Sequence, residues 1–183
     1  MKLNEAEFIE SLNVEYTIKK CTSTPLINNF KQMFPNDLSE IKVQTDDDTI
    51  DENNNNTLYM IISWIPTKLP MSGFSSATED EREEKSLMFI QNATKICKYI
   101  QEKNYWCDFI DPLTGVPHIK RENANSVFVP TESVPYMNIE IIDVGCCQVM
   151  VHPKFKVRSF FSVIVSTAPF KILDEAIHAT DQN

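Results

Sequence analysis

A chain of 183 residues with 42% apolar side chains is long enough to bury one sizeable core, and its size suits a single domain over 1–183. Seventeen basic against twenty-six acidic side chains leave a net charge of −9, which repels a phosphate backbone and argues against nucleic acid as a partner. Three glycines are too few for a glycine-rich phosphate loop, and neither the dinucleotide fingerprint nor the P-loop is present, so nucleotide hydrolysis is excluded.

Asn4-Glu5-Ala6-Glu7 has the form of a capping box and predicts a short helix carrying Phe8, Ile9 and Leu12. Val14, Tyr16 and Ile18 alternate with Glu15, Thr17 and Lys19, the period of a strand with one wet face. Thr24 as cap and Pro25 in the first turn open a second helix, whose apolar stripe Leu26, Ile27, Phe30 and Phe34 ends at Pro35. Ile41 and Val43 suggest a strand, followed over 46–56 by an acidic, Asn-rich stretch expected to be a solvated, disordered loop. A calcium loop fits this stretch poorly, because the required glycine and terminal glutamate are missing.

Thr57 to Ile65 reads as a core strand. Thr78-Glu79-Asp80-Glu81 is a second capping box, and it predicts a long helix to about Asn104 with Phe89, Ala93, Ile96 and Ile100 on one face. Tyr105 to Ile110 leads as a strand into the turn Asp111-Pro112-Leu113-Thr114-Gly115. Three more strands are expected at Tyr136 to Asp143, Cys147 to Val151 and Val157 to Val165, before Pro169 opens a helix containing Ile172, Leu173, Ala176 and Ile177. The pattern is α+β with a largely antiparallel sheet. No apolar run reaches the roughly 20 residues of a membrane helix. The N-terminal residues, with Glu5, Glu7 and Glu10, have neither secretory nor Arg-rich character, so the chain reads as cytoplasmic.

The five cysteines, Cys21, Cys97, Cys107, Cys146 and Cys147, have the spacing of neither a disulfide framework nor a zinc ribbon, which fits a reducing compartment. Cys146 and Cys147 follow Gly145 in an otherwise apolar run, where a glycine lets the backbone turn and a thiol be presented. Adjacent cysteines are poor disulfide partners, so at least one thiol is expected to be free. His152, five positions after Cys147, is too distant along an extended strand to activate it unless the chain folds back. A zinc site from Cys107, Cys146, Cys147 and His152 lacks the paired spacing of known sites. Asp108 and Asp111 suit turn and capping bonds better than acid–base work, Trp106 and Phe109 suit core packing better than ligand stacking, and Cys97 suits a core position better than a redox role.

The segments Tyr105-Trp106-Cys107-Asp108-Phe109-Ile110-Asp111-Pro112 and Asp143-Val144-Gly145-Cys146-Cys147-Gln148-Val149, then His152, resemble the methylmalonic aciduria and homocystinuria type D (cblD) family. Val14 to Cys21 and Phe30 to Pro35 match it more weakly. The resemblance implies a nitroreductase-like fold without its flavin site, and a non-enzymatic adaptor in cobalamin (vitamin B12) trafficking. It implies no cofactor held tightly by the chain alone. Cobalamin is instead shared with a cblC-type processing chaperone, and Cys146 is the position whose sulfur meets the cobalt. Gly145, Cys147 and His152 are the supporting residues, with Cys147 structural. Methionine synthase and methylmalonyl-CoA mutase are the implied destinations, the second of them mitochondrial. The alternative is a flavin-dependent reductase retaining the chemistry of that fold. The loop from Pro66 to Phe74 and the edge near Gly145 are the candidate partner surfaces.

Overall fold

The computed structural model describes residues 1–41, 57–122, 124–133, 137, 139–145 and 148–181. The acidic stretch at 46–56, Val43 of the expected strand, and both Cys146 and Cys147 lie outside the described residues. Five strands form one antiparallel sheet in the order β1-β2-β3-β7-β4: β1 Ala6–Ile9, β2 Val14–Lys20, β3 Tyr59–Pro66, β7 Ser159–Ser166 and β4 Cys107–Phe109. A separate antiparallel pair joins β5 Glu140–Asp143 to β6 Gln148–Val151. The helices are α1 Thr24–Met33, α2 Pro35–Leu38, α3 Ser76–Glu102, α4 Pro130–Ser133 and α5 Phe170–Asp181.

Both faces of the sheet are covered. On one, Tyr16, Ile18, Ile61, Ile65, Phe109 and Ile164 pack against Phe89, Ile96 and Ile100 of α3 and Leu173 and Ile177 of α5. On the other, Met60, Ile62, Trp64, Phe161 and Val163 meet Leu26, Ile27, Phe30 and Met33 of α1 and Leu38 of α2. Double coverage explains why β7 is buried at every position and carries large apolar side chains on both faces, Phe160 and Ile164 on one and Phe161 and Val163 on the other. Its register with β3 puts Trp64 opposite Phe161, edge to face at 5.0 Å, and Ser63 opposite Ser162, whose hydroxyls satisfy each other at 3.1 Å.

The expected N-terminal helix is instead strand β1. Asn4 adopts φ 65° and its N–H bonds the Ile18 carbonyl, while Ala6 to Ile9 pair with Thr17 to Val14, so the sheet edge outcompetes the local capping signal. The two helix caps shift by one to three residues. Ser23 accepts from Leu26 N at 3.5 Å and Ser75 from Thr78 N at 3.2 Å, so the capping oxygens are neither Thr24 nor Thr78. Glu81, expected to close a capping box, reaches back instead to the β3–α3 loop, accepting Lys68 N at 2.6 Å and Leu69 N at 2.8 Å. Arg82 clasps the same loop through the Met71 and Gly73 carbonyls. Ile41 is buried but belongs to no strand.

Candidate functional site: the tip of the β5–β6 hairpin

Register places Asp143 opposite Gln148, which leaves Val144 to Cys147 as the connection between the two strands. The two strands expected at Tyr136 to Asp143 and Cys147 to Val151 are therefore β5 and β6, paired antiparallel as a hairpin. Ile141 and Met150, a cross-strand pair, face the apolar cluster beneath and root the hairpin there, together with Ile139. Outward, Ile142, Asp143, Val144, Gly145 and Gln148 are all exposed. Gly145 has φ +88°, its N–H donates to Asp143 Oδ1 at 2.7 Å, and a Cβ built on it would meet no atom within 4 Å. Its glycine identity thus answers to backbone conformation and not to crowding within the chain.

Two depressions flank the hairpin. One, of about 400 Å³, lies between its root and the polar end of the sheet, with Glu15, Thr17 and Lys19 of β2 and Trp64 of β3 on its floor. The other, of about 350 Å³, brings Met71, Ser72 and Phe74 of the β3–α3 loop beside Gln148, Val149 and Met150 of β6. The two candidate partner surfaces thus lie against one groove. Phe74 is 67% exposed and Leu113, also on the groove, 53%.

His152, just past β6, turns away from a catalytic role. Its ring is buried, stacked on Phe155 at 4.6 Å and tilted against Trp64 at 5.2 Å. Nδ1 accepts the backbone N–H groups of Lys154 and Phe155 at 3.2 and 3.0 Å, so Nε2 carries a proton and donates to Glu15 Oε1 at 2.7 Å. The imidazole is a cross-brace between the hairpin's exit and β2. Sequence alternation placed Glu15 on the polar side of β2, but gave no signal that it would meet a residue 137 positions away.

The other constellations separate. Cys107 packs with the α3 face of the sheet, whereas His152 sits against Trp64 on the opposite face, so they share no metal site. Among the described residues no group of three His, Cys, Asp or Glu could hold a metal ion. Asp108 is fully buried and accepts Phe109 N at 2.7 Å, Ile119 N at 2.9 Å and Lys120 N at 2.9 Å, while Asp111 Oδ1 accepts Leu113 N and Thr114 N. Burial pushes the Asp108 carboxyl above its ordinary range against the pull of these backbone donors. Trp106 packs edge-on against Phe34 at 5.0 Å, and Phe109 sits in the core against Phe89. The Asp-Phe-Ile-Asp-Pro segment is accordingly a folding element, with its carboxylates bound to backbone N–H groups.

A sequence profile of the methylmalonic aciduria and homocystinuria type D protein family matches residues 1–176. The chain belongs to that family. Among its relatives, the cobalamin trafficking protein CblD of Gallus gallus is 32% identical over 152 residues, and those of Homo sapiens and Mus musculus are each 30% identical over 152 residues. Each alignment covers 82% of this chain and 46% of the relative, so the chain spans about half the length of the curated relatives it matches. Of this family member's described residues, no helix is long and apolar enough to cross a membrane.

Proposed function

We propose that this protein is a non-enzymatic adaptor in cobalamin trafficking, which docks on a cobalamin-loaded processing chaperone of the cblC type and offers Cys146 as a thiolate ligand to cobalt. Cobalamin is the cargo and arrives with the partner; methionine synthase and methylmalonyl-CoA mutase are its destinations. The nitroreductase-like ancestry and the loss of a flavin site belong to the same proposal, as does action in the cytoplasm.

The observation that carries the reading is the exposed hairpin tip. Gly145 immediately precedes Cys146, is open to solvent, and has unfilled space where a side chain would stand. A metal–sulfur bond tolerates little error in distance, so the residue beside the thiol must let a bulky macrocycle come close. Soft thiolates suit a transition-metal centre held in another protein's cofactor. The root supplied by Ile141, Met150 and the His152–Glu15 brace keeps that tip on a rigid base.

The test mixes purified protein with cobalamin-loaded chaperone and records the corrin absorption spectrum. Wild type is expected to shift it. Cys146→Ser is expected to leave it unchanged while still co-eluting with the chaperone. Identical spectra for the two proteins refute thiolate coordination, and failure of wild type to co-elute refutes the adaptor role.

A further inference from the structure

Cys97 and Cys107 are ten residues apart in sequence and on different elements, the last turns of α3 and the start of β4. The reversal between them runs through Asn104, at φ 64°, and brings the two sulfurs to 2.8 Å. Both side chains are buried in the same apolar cluster. Cys21 belongs to the cluster on the opposite face of the sheet, so among the described cysteines Cys97 and Cys107 are the two that share a cluster.

The structure assigns Cys97 and Cys107 as an oxidative modification site, a thiol pair that closes to a reversible intramolecular disulfide on exposure to a peroxide. A disulfide bond is about 2.05 Å long, so the sulfurs need approach by less than about 1 Å, within the reach of side-chain rotation. One thiol is oxidised to sulfenic acid, consuming one hydrogen peroxide and releasing one water. The second thiol attacks that sulfur, forming the S–S bond and expelling the hydroxyl as a second water. Two electrons and two thiol hydrogens leave the pair, and the peroxide is reduced to water.

Burial controls the rate. The Cys97 thiol is pushed up by desolvation and by its contact with Cys107, so little thiolate forms in the closed structure. Reaction therefore waits on opening of the α3 terminus, where Glu102, Lys103 and Asn104 are exposed. Once made, the bond ties that terminus to the residue before Asp108, which in turn holds Ile119 and Lys120. Oxidation thus stiffens the helix end, the strand and the following loop together.

The experiment treats the full chain with hydrogen peroxide over a time course, blocks remaining thiols under denaturing conditions, and maps the digest by mass spectrometry, with melting curves in parallel. The expected product is a Cys97–Cys107 linked peptide pair, reversed by dithiothreitol, with a midpoint raised by roughly 5 °C. Cys97→Ala should show no such rise. Recovery of both cysteines as blocked thiols, or as sulfinic or sulfonic acids, after treatment at a temperature that opens the helix end overturns the assignment. So does an equal rise in midpoint in Cys97→Ala.

Discussion

Replacing Asp108 tests whether its segment is built for folding. The carboxylate has no exposed surface and accepts three backbone N–H groups, Phe109 and Ile119 on Oδ1 and Lys120 on Oδ2. Hydrogen bonds to a charged acceptor are worth about 1.5–3 kcal/mol each, and a buried donor left unpaired costs about 1–3 kcal/mol. Against this stands the desolvation that raises the carboxyl's pKa. Asp108→Ala abandons all three donors and should lose about 3–4 kcal/mol after that offset, a fall in midpoint on the order of 10 °C for a chain of this size. Asp108→Asn keeps an oxygen for Phe109 and Ile119 but turns an NH₂ group toward Lys120 N, and should lose about 1–2 kcal/mol.

The pH dependence supplies the sign. With the native pKa above the unfolded one, the folded state binds more protons in the window between them, so this group's contribution falls as pH rises from about 3.8 upward through the raised value. Asp108→Asn should lack that component. Urea denaturation of the three proteins across this acidic range measures both effects. An alanine variant within about 1 kcal/mol of wild type, or an asparagine variant more stable than wild type at neutral pH, would refute the reasoning by showing that desolvation outweighs the three bonds.

Glu81→Gln should lose about 1–2 kcal/mol, because one of the Lys68 and Leu69 N–H groups then faces an amide NH₂, and amide exchange at these two residues should quicken in hydrogen-exchange measurements. His152 should show the Nε2–H tautomer by ¹⁵N NMR, and His152→Ala should lose about 2–3 kcal/mol by emptying the space between Trp64 and Phe155. Gly145→Ala should cost only about 1 kcal/mol, a strain of backbone conformation with no clash, as read from chemical denaturation. Cys21, whose thiol burial pushes up to about 12, should resist iodoacetamide in the native protein at neutral pH and react after unfolding, as followed by peptide mapping.

The long elements were legible because local pattern and tertiary role agree in them. β7 carries apolar side chains on both faces because it is an inner strand covered twice, and α3 carries Phe89, Ala93, Ile96 and Ile100 on the face that meets the sheet. Ala6 to Ile9 misled because Asn4 and Glu7 have the spacing of a capping box, a local signal of a kilocalorie or so that pairing with β2 overrides. At the candidate site the strands on either side of Gly145 were legible, and Gly145 takes φ +88° between them, but alternation alone does not say that the two pair with each other apart from the main sheet. His152 and Glu15 meet across 137 positions of the chain, and no short-range rule brings together residues that far apart. The same holds for Cys97 and Cys107, whose meeting depends on the turn at Asn104.

The emptiness around Gly145 bears on how variants of this protein should be sorted. A substitution at Gly145 leaves the layers below undisturbed, so the damaged protein would accumulate to near-ordinary levels and melt within about 2–4 °C of wild type. Screens that score abundance would pass it as healthy. Damage at Asp108 or Glu81 would register in such screens at once, and the two kinds of defect could be told apart without any binding assay.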